Sequence, residues 1–121
     1  MEQLKEKRIY DLEDRTFKFA QRVRNLFKTL PKTLINMEDG KQLIRASGSI
    51  GANYIEASEA LSKKDFLLRI KISLKEAKES RFWLSLLDLR SEDSLKQEQC
   101  ALIQEAHELA SIFGSIVKRL Q

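Results

Sequence analysis

Apolar residues recur at helical spacing along four separate stretches of the chain, a pattern that predicts four amphipathic α-helices. We expect these helices over residues 14–30, 38–61, 63–89 and 95–120. Pro31 should end the first helix, because proline lacks the amide proton that a helix interior needs. Asn36 is a candidate N-terminal cap for the second helix. Segments 62–65 and 94–97 both open on serine and resemble the capping boxes that begin helices.

One face of each predicted helix carries the larger apolar side chains, and we expect these faces to form a shared core. The expected core positions are Phe17, Ala20, Val23, Phe27 and Leu30 in the first helix, Leu43, Ile50, Tyr54, Ala57 and Leu61 in the second, Phe66, Ile70, Leu74, Ala77 and Leu84 in the third, and Leu102, Ala106, Leu109, Phe113 and Val117 in the fourth. Four helices joined by short links favour an all-α, antiparallel up-down-up-down four-helix bundle.

Composition favours a single helical domain over residues 1–121. The chain has one proline and four glycines, fewer turn-forming residues than a sheet-rich domain needs. Its first residues do not follow a signal-peptide pattern, and no apolar run approaches the roughly 20 residues that cross a bilayer. The single cysteine, Cys100, cannot form an internal disulfide. We therefore expect a cytoplasmic protein with no membrane partner.

The charge of the chain alternates in sign from one predicted helix to the next. Residues 1–33 hold 9 Lys/Arg against 5 Asp/Glu, and residues 62–90 hold 8 against 4. Residues 34–61 hold 2 Lys/Arg against 4 Asp/Glu, and residues 91–121 hold 3 against 5. In an up-down bundle the basic first and third helices would lie diagonally opposite, each beside acidic neighbours. The overall charge of +4 suits an anionic partner without requiring one.

The glycines at positions 48 and 51 allow two interpretations of the second predicted helix. The segment could be a phosphate-binding loop, but the helical apolar pattern continues through both glycines. A glycine inside a helix costs roughly 1 kcal/mol relative to alanine, so close approach of a neighbouring helix should offset that cost. We therefore expect Gly48, Gly51 and Ile55 to line a tightly packed seam between helices.

The third predicted helix has a second apolar flank, displaced from its core stripe. Leu68, Ile72, Trp83 and Leu86 form this flank. A surface helix normally has one apolar stripe, so a second flank indicates a contact between copies of the chain. The alternative is a wide core stripe in a monomer.

The middle of the chain resembles the small bacterial four-helix-bundle proteins that are encoded in intervening sequences of 23S ribosomal RNA genes. The pattern of that family is matched by Gln42, Leu43, Arg45, Ala46, Ser49, Ile50, Asn53, Glu56, Asp65, Phe66, Ser73, Leu74 and Glu76. The opening YDLEDRTFKFA also fits. Ala57 stands where many relatives have glycine, and this departure predicts a longer second helix.

The resemblance implies a four-helix bundle that assembles as a ring-shaped homopentamer. A similar accessory protein of diversity-generating retroelements is pentameric and basic, and it binds a reverse transcriptase and nucleic acid. Most members of the family have no established activity. The resemblance is therefore specific for family and fold rather than for biochemistry.

Several polar residues lie among apolar positions and predict a structural network rather than an active site. Arg45, Asn53, Glu56, Glu76 and Arg81 are its expected members. A buried carboxylate must be paired or protonated, and such a network would fix helix register or a subunit contact. No nucleophile or set of metal ligands accompanies these carboxylates.

The lone histidine gives little support to an enzyme. A family of all-helical ribonucleases uses an arginine and a histidine separated by four to six intervening residues, and the corresponding arginine positions before His107 are Cys100, Ala101 and Leu102. One cysteine and one histidine make a zinc site within one chain improbable. We expect no catalytic residues, no metal, no cofactor and no small-molecule substrate.

Basic residues form stripes on the first and third predicted helices. The stripes consist of Arg15, Lys18 and Arg22 on the first helix and Lys64, Lys71, Lys75 and Lys78 on the third. Such stripes are solvated faces or nucleic-acid contacts. Phe17, Phe27, Phe66 and Phe113 fall at expected core positions, so base stacking is not predicted.

These observations predict a non-enzymatic oligomeric bundle that acts as a scaffold for RNA, another nucleic acid or a ribonucleoprotein. The alternative is a protein-only interaction module that docks a partner such as a reverse transcriptase through an apolar helix flank.

Overall fold

Four α-helices make up the structure, and the connections between them are short. The computed structural model describes residues 2–121, and side chains from residue 11 onward. The helices are α1 (Glu2–Thr29), α2 (Leu34–Ser58), α3 (Lys63–Leu86) and α4 (Asp93–Leu120), and no strand occurs among residues 2–121. The all-α prediction is confirmed, whereas the bounds differ from those expected at several ends.

The first two helices differ most from the sequence prediction. Helix α1 begins at Glu2 rather than near residue 14. Helix α2 begins four residues earlier than expected and ends at Ser58, three residues before the expected end at residue 61. Its termination follows from Glu59, which leaves helical geometry at φ −100° and ψ 7°. That α2 is longer than in relatives with glycine at the position of Ala57 stays a prediction.

Side-chain caps explain where α2 and α3 begin, whereas α4 begins without one. Thr33 caps α2, its hydroxyl accepting a hydrogen bond from the Asn36 amide at 3.1 Å, so the prediction of Asn36 as the cap was wrong. The predicted cap of α3 is confirmed, since the Ser62 hydroxyl accepts from the Asp65 amide at 3.1 Å. The predicted box at 94–97 was wrong, because α4 begins at Asp93 without a side-chain cap bond.

The helices pack around one apolar core. Helix α2 packs against α1 and α3, and α4 packs against the same two helices. Among the described residues, α1 and α3 do not come within 8 Å of each other, Cα to Cα, and neither do α2 and α4. The largest fully buried apolar side chains include Phe19, Leu43, Ile50, Ile70, Leu84, Leu102, Leu109 and Phe113. Each such side chain stabilises the fold by about 1.5–3 kcal/mol relative to an exposed position.

The core face of α1 differs from the predicted one. Phe17 is 65% exposed, and Phe19 is buried in its place. The α1 contributions to the core are Leu12, Phe19, Val23, Leu26 and Leu30. Phe17 precedes Phe19 by two residues, which turns it about 200° around the helix axis. Leu61, a predicted core position of the second helix, lies beyond the end of α2 and is 99% exposed.

The helical interpretation of the glycine segment is confirmed, because α2 runs without interruption through Gly48 and Gly51. A Cβ added at Gly51 would lie 3.0 Å from Thr16 Oγ1 and 3.3 Å from Thr16 Cβ. A Cβ added at Gly48 would meet only the end of the Arg24 side chain, at 3.2 Å. Of these two glycines, Gly51 is therefore the one on which α1 packs closely, while the neighbour of Gly48 is a flexible side chain.

Asn36 joins two connections at one end of the bundle. Its Nδ2 donates to the carbonyl oxygens of Pro31 at 3.0 Å and Asp88 at 2.8 Å. Its Oδ1 accepts from the Asp88 amide at 2.9 Å. Asn36 is only 1% exposed, and these bonds satisfy polar groups that burial would otherwise leave unpaired. The α1–α2 and α3–α4 connections are thus held together.

Candidate nucleic-acid interface

Four exposed lysines of α3, which we call the α3 lysine stripe, lie along one side of that helix. They are Lys64, Lys71, Lys75 and Lys78. Their spacing of seven, four and three residues keeps them within about 60° of arc. The opposite side of α3 is anchored in the core by Ile70, Ala77 and Leu84, which directs the lysines outward. None of the four forms an ion pair with any described side chain.

The basic residues of α1 have a different environment. Arg15 forms a two-pronged contact with Glu105 at 2.6 and 3.0 Å, and its Nη2 lies 3.3 Å from Glu108 Oε1. Arg22 contacts Glu98 at 2.7 and 3.3 Å. Hydrogen bonding to these carboxylates raises the pKa of both arginines. The two arginines therefore connect α1 to the acidic face of α4.

Lys18 completes the predicted α1 stripe, and its ion pair lies within the helix. Its Nζ lies 2.7 Å from Asp14 Oδ2, one turn earlier, and that hydrogen bond raises the pKa of the lysine. All three basic residues predicted on α1 are thus engaged by carboxylates. Of the two predicted basic stripes, only the one on α3 has no carboxylate partner among the described side chains.

Arg45, Glu76 and Glu79 form a polar contact between α2 and α3. Arg45 Nη1 lies 3.8 Å from Glu76 Oε1, and Nη2 lies 3.6 Å from Glu79 Oε2. Glu76 is only 4% exposed. Burial raises the pKa of Glu76, and the neighbouring Glu79 adds to this rise while Arg45 opposes it. Glu76 Oε2 has no hydrogen-bond partner among the described residues.

Asn53 and Glu56 do not join this contact, so the predicted single network was wrong. Asn53 Nδ2 donates to the carbonyl and hydroxyl oxygens of Ser49, both at 2.9 Å, and its Oδ1 accepts from Arg69 at 3.1 Å. Glu56 is exposed and makes no ion pair with the described side chains. The reason is position along the helix axis, because Asn53 and Glu56 lie about 12 and 17 Å beyond Arg45 along α2.

Arg81, the last predicted member of the network, lies on the side of α3 that faces α4. Its Nη1 is 3.2 Å from His107 Nδ1, so the expected contact with a carboxylate was wrong. Both side chains are exposed. Cys100 is also exposed. Among the described side chains, no group of three His, Cys, Asp or Glu is arranged to hold a metal ion.

The residues predicted for a helix seam or oligomer contact fall on two surfaces. Gly48, Gly51 and the 52% exposed Ile55 line an open groove of about 560 Å³ between α1 and α2, and the exposed Phe17 lies on its α1 side. On α3 the predicted residues differ in exposure. Leu68 and Leu86 are exposed, at 55% and 47%, whereas Ile72 and Trp83 are half-buried.

The sequence interpretation missed Phe82, which is 57% exposed. Phe82 follows Lys78 by four residues and therefore extends the α3 lysine stripe. Its ring meets Trp83 edge-on, with centroids 5.1 Å apart and planes at 76°. Phe82, Trp83, Lys78 and Arg45 line one open groove between α2 and α3. The four-residue spacing after Lys78 is the sequence signal that points to Phe82.

The sequence matches the model of the 23S rRNA-intervening sequence protein family over residues 9–115. The chain belongs to this family. It is also similar to the crystal structure of a protein of unknown function from the S23 ribosomal protein family of Bacteroides thetaiotaomicron. The two are 34% identical with a TM-score of 0.74, and the match covers 91% of this chain and 97% of the other. No curated protein matches the sequence.

The comparisons agree with the helical architecture and add no catalytic assignment. The family resemblance proposed from residues between Gln42 and Glu76 is confirmed by a match that extends over nearly the whole chain. None of the helices in the described part of the chain has an apolar stretch long enough to cross a membrane.

Proposed function

We propose that this protein is a non-enzymatic, oligomeric helical bundle that binds RNA, alone or within a ribonucleoprotein, through the α3 lysine stripe. The carrying observation is that all four lysines are exposed and have no carboxylate partner among the described side chains. Lysine ammonium groups bind phosphates as point charges. Binding would be directed at the backbone, weakly selective for sequence, and steeply dependent on salt because counterions are released.

Assembly is the second part of the proposal. We infer an antiparallel up-down-up-down bundle that forms a ring, with five subunits as the expected number. In such a ring the α3 lysine stripe recurs in every subunit, and linked weak sites bind one polyanion far more tightly than a single site does. The diagonal separation of α1 from α3 supports the bundle. The exposed apolar side chains Ile55 and Leu68 support contacts between subunits.

RNA is the first partner class to test. The family is named for 23S rRNA-intervening sequences and the similar structure for ribosomal proteins. These names describe those proteins, and the α3 lysine stripe offers this chain a physical means of binding the same class of polymer. A cytoplasmic location, where ribosomal RNA is found, belongs to the same proposal.

The decisive experiment measures RNA binding as a function of salt. Fluorescence anisotropy with a labelled single-stranded RNA would compare the wild type with the K71Q/K75Q/K78Q variant. A matched control, K28Q/K96Q/K118Q, removes the same charge from exposed lysines elsewhere. We expect the stripe variant to reduce the slope of log affinity against log salt by about 2, because each phosphate contact contributes about 0.7.

Three results would contradict the proposal: no binding at low salt, binding that does not vary with salt, or equal losses in both variants. Light scattering on the same samples tests assembly. If the protein is a monomer at micromolar concentration, the proposed ring is wrong, and the α3 lysine stripe is not repeated within one assembly.

A second candidate function is docking of a protein partner, such as a reverse transcriptase, without RNA. The observation that favours it is the α1–α2 groove, where Phe17 and Ile55 present exposed apolar surface beside Gly48 and Gly51. Exposed apolar patches often mark interaction sites. Binding of a purified reverse transcriptase that survives nuclease treatment and is lost in I55S would support this function over the first.

A further inference from the structure

We propose that the carboxyl-terminal half of the α3 lysine stripe binds unpaired RNA, with one base stacked on the ring of Phe82. This inference rests on the proposed RNA-binding function and names the form of RNA that the site would take. Lysines 71, 75 and 78 would contact backbone phosphates, and Phe82 would cover the face of a base. Stacking of this kind accepts any base, because every base has a π-face.

The arrangement along α3 carries the proposal. Lys71, Lys75, Lys78 and Phe82 are spaced by four, three and four residues, so they fall within a narrow arc on one side of the helix. At a rise of 1.5 Å per residue, Phe82 lies about 6 Å beyond Lys78 along the axis. A strand held by the lysines would therefore pass directly over the aromatic ring.

Phe82 is placed to act as a platform rather than as a core residue. It is 57% exposed, although phenylalanine is normally among the more buried residues. The neighbouring Trp83 is half-buried and packs against the core. The edge of one ring meets the face of the other at 76°. Phe82 thus has an aromatic neighbour and still keeps more than half of its surface open to solvent.

The carboxylates nearby are already engaged. Glu76 is buried, and Glu79 is half-buried with Arg45 at 3.6 Å. Arg45 therefore offsets the charge of the acids that border the groove, and the lysines remain available for phosphate. Phe82 can reach a base only where the base is unpaired, because duplex bases stack on one another. The site should favour single strands.

The test separates the contribution of the bases to RNA binding from that of the phosphate backbone. Two labelled 12-nucleotide probes, oligouridine and a fully abasic strand with the same phosphates, would be titrated with the wild type and F82L at low salt. We expect F82L to weaken oligouridine binding about tenfold, as expected for loss of one stacked base. Binding of the abasic strand should not change. F82W, which keeps an aromatic face, should retain wild-type affinity for oligouridine.

F17L is the matched control, because Phe17 is the other strongly exposed phenylalanine and lies on α1. It should bind both probes like the wild type. Equal affinity of the wild type for both probes, or an unchanged F82L, overturns the stacking inference while leaving the proposed function intact. If neither probe binds, both the stacking inference and the proposed RNA-binding function are wrong. Equal losses for both probes with a changed mass by light scattering would assign Phe82 to a protein contact and also overturn the inference.

Discussion

The two basic helices of this protein carry similar charge in the sequence and use it in different ways. Two arginines of α1 face the acidic side of α4, where Arg15 meets Glu105 and Arg22 meets Glu98. The α3 lysine stripe points away from the core and meets no carboxylate within hydrogen-bonding range among the described residues. Basic residues therefore either form ion pairs between helices or remain exposed to solvent, depending on whether an acidic helix lies beside them.

Residue type sharpens this difference. The α1 positions that contact α4 are arginines, whose planar group holds a carboxylate through two parallel bonds. The exposed positions on α3 are lysines, which keep a compact and strongly hydrated charge. The two exposed phenylalanines also differ in their surroundings. Phe82 continues the α3 lysine stripe, whereas Phe17 lies on α1, where the predicted basic residues are paired with carboxylates.

The largest effect on the free energy of unfolding is expected from a substitution that forces α1 away from α2. G51L should destabilise the protein by about 1–3 kcal/mol, the usual cost of overpacking, because a Cβ there already lies 3.0 Å from Thr16 Oγ1. G48L should cost clearly less, since its nearest neighbour is the mobile end of Arg24. Urea unfolding of both variants measures the difference. Equal stability losses would mean that Gly51 is not a special point of approach.

A smaller effect is expected when the α1 arginines lose their charge. R15Q/R22Q should lower the free energy of unfolding by about 1 kcal/mol, because partly exposed ion pairs contribute about 0.2–1 kcal/mol each. RNA affinity should stay at the wild-type level. K71Q/K75Q/K78Q should give the opposite result, with stability kept and affinity lost. If the arginine variant also lost affinity, the division of roles between α1 and α3 would be wrong.

The smallest effect concerns the one buried acid of α3. Burial raises the pKa of Glu76 above its ordinary value of 4.5, so the folded protein holds that proton more tightly than the unfolded chain. The resulting stabilisation is present below pH 4.5 and is lost as the pH rises through the folded-state pKa.

E76Q lacks this titration and serves as the matched variant. Relative to E76Q, the wild type should therefore become less stable between about pH 4 and pH 7, which urea unfolding at several pH values would reveal. A difference that stayed constant over this range would indicate that Arg45 compensates fully for burial.

Periodicity predicted the helices well because each one has a continuous apolar face. It placed Phe17 in the core because two overlapping registers, one through Phe17 and one through Phe19, both fit a helix. The structure selects the second, in which Phe19 is 1% exposed. The local cap at Ser62 was predictable because both partners lie within four residues of each other.

The site was harder to predict than the fold, because its properties depend on neighbouring helices. No local pattern shows that Glu105 will reach Arg15 or that Arg45 will meet Glu76, since the partners are far apart in the sequence. The spacing of Phe82 from Lys78 places it on the α3 lysine stripe from sequence alone. Its 57% exposure and its ring contact with Trp83 depend on how α3 packs, and no local pattern predicts them.

The hydrogen bonds of Asn36 have a consequence for the proposed binding of RNA near the carboxyl-terminal end of α3. By tying Pro31 and Asp88 together, this one side chain clamps the chain just beyond the last turn of α3. We expect these bonds to limit the movement of α3, so that binding of a nucleic-acid strand along the helix would not have to immobilise it. Most of the ordering entropy would then fall on the nucleic acid rather than on the protein.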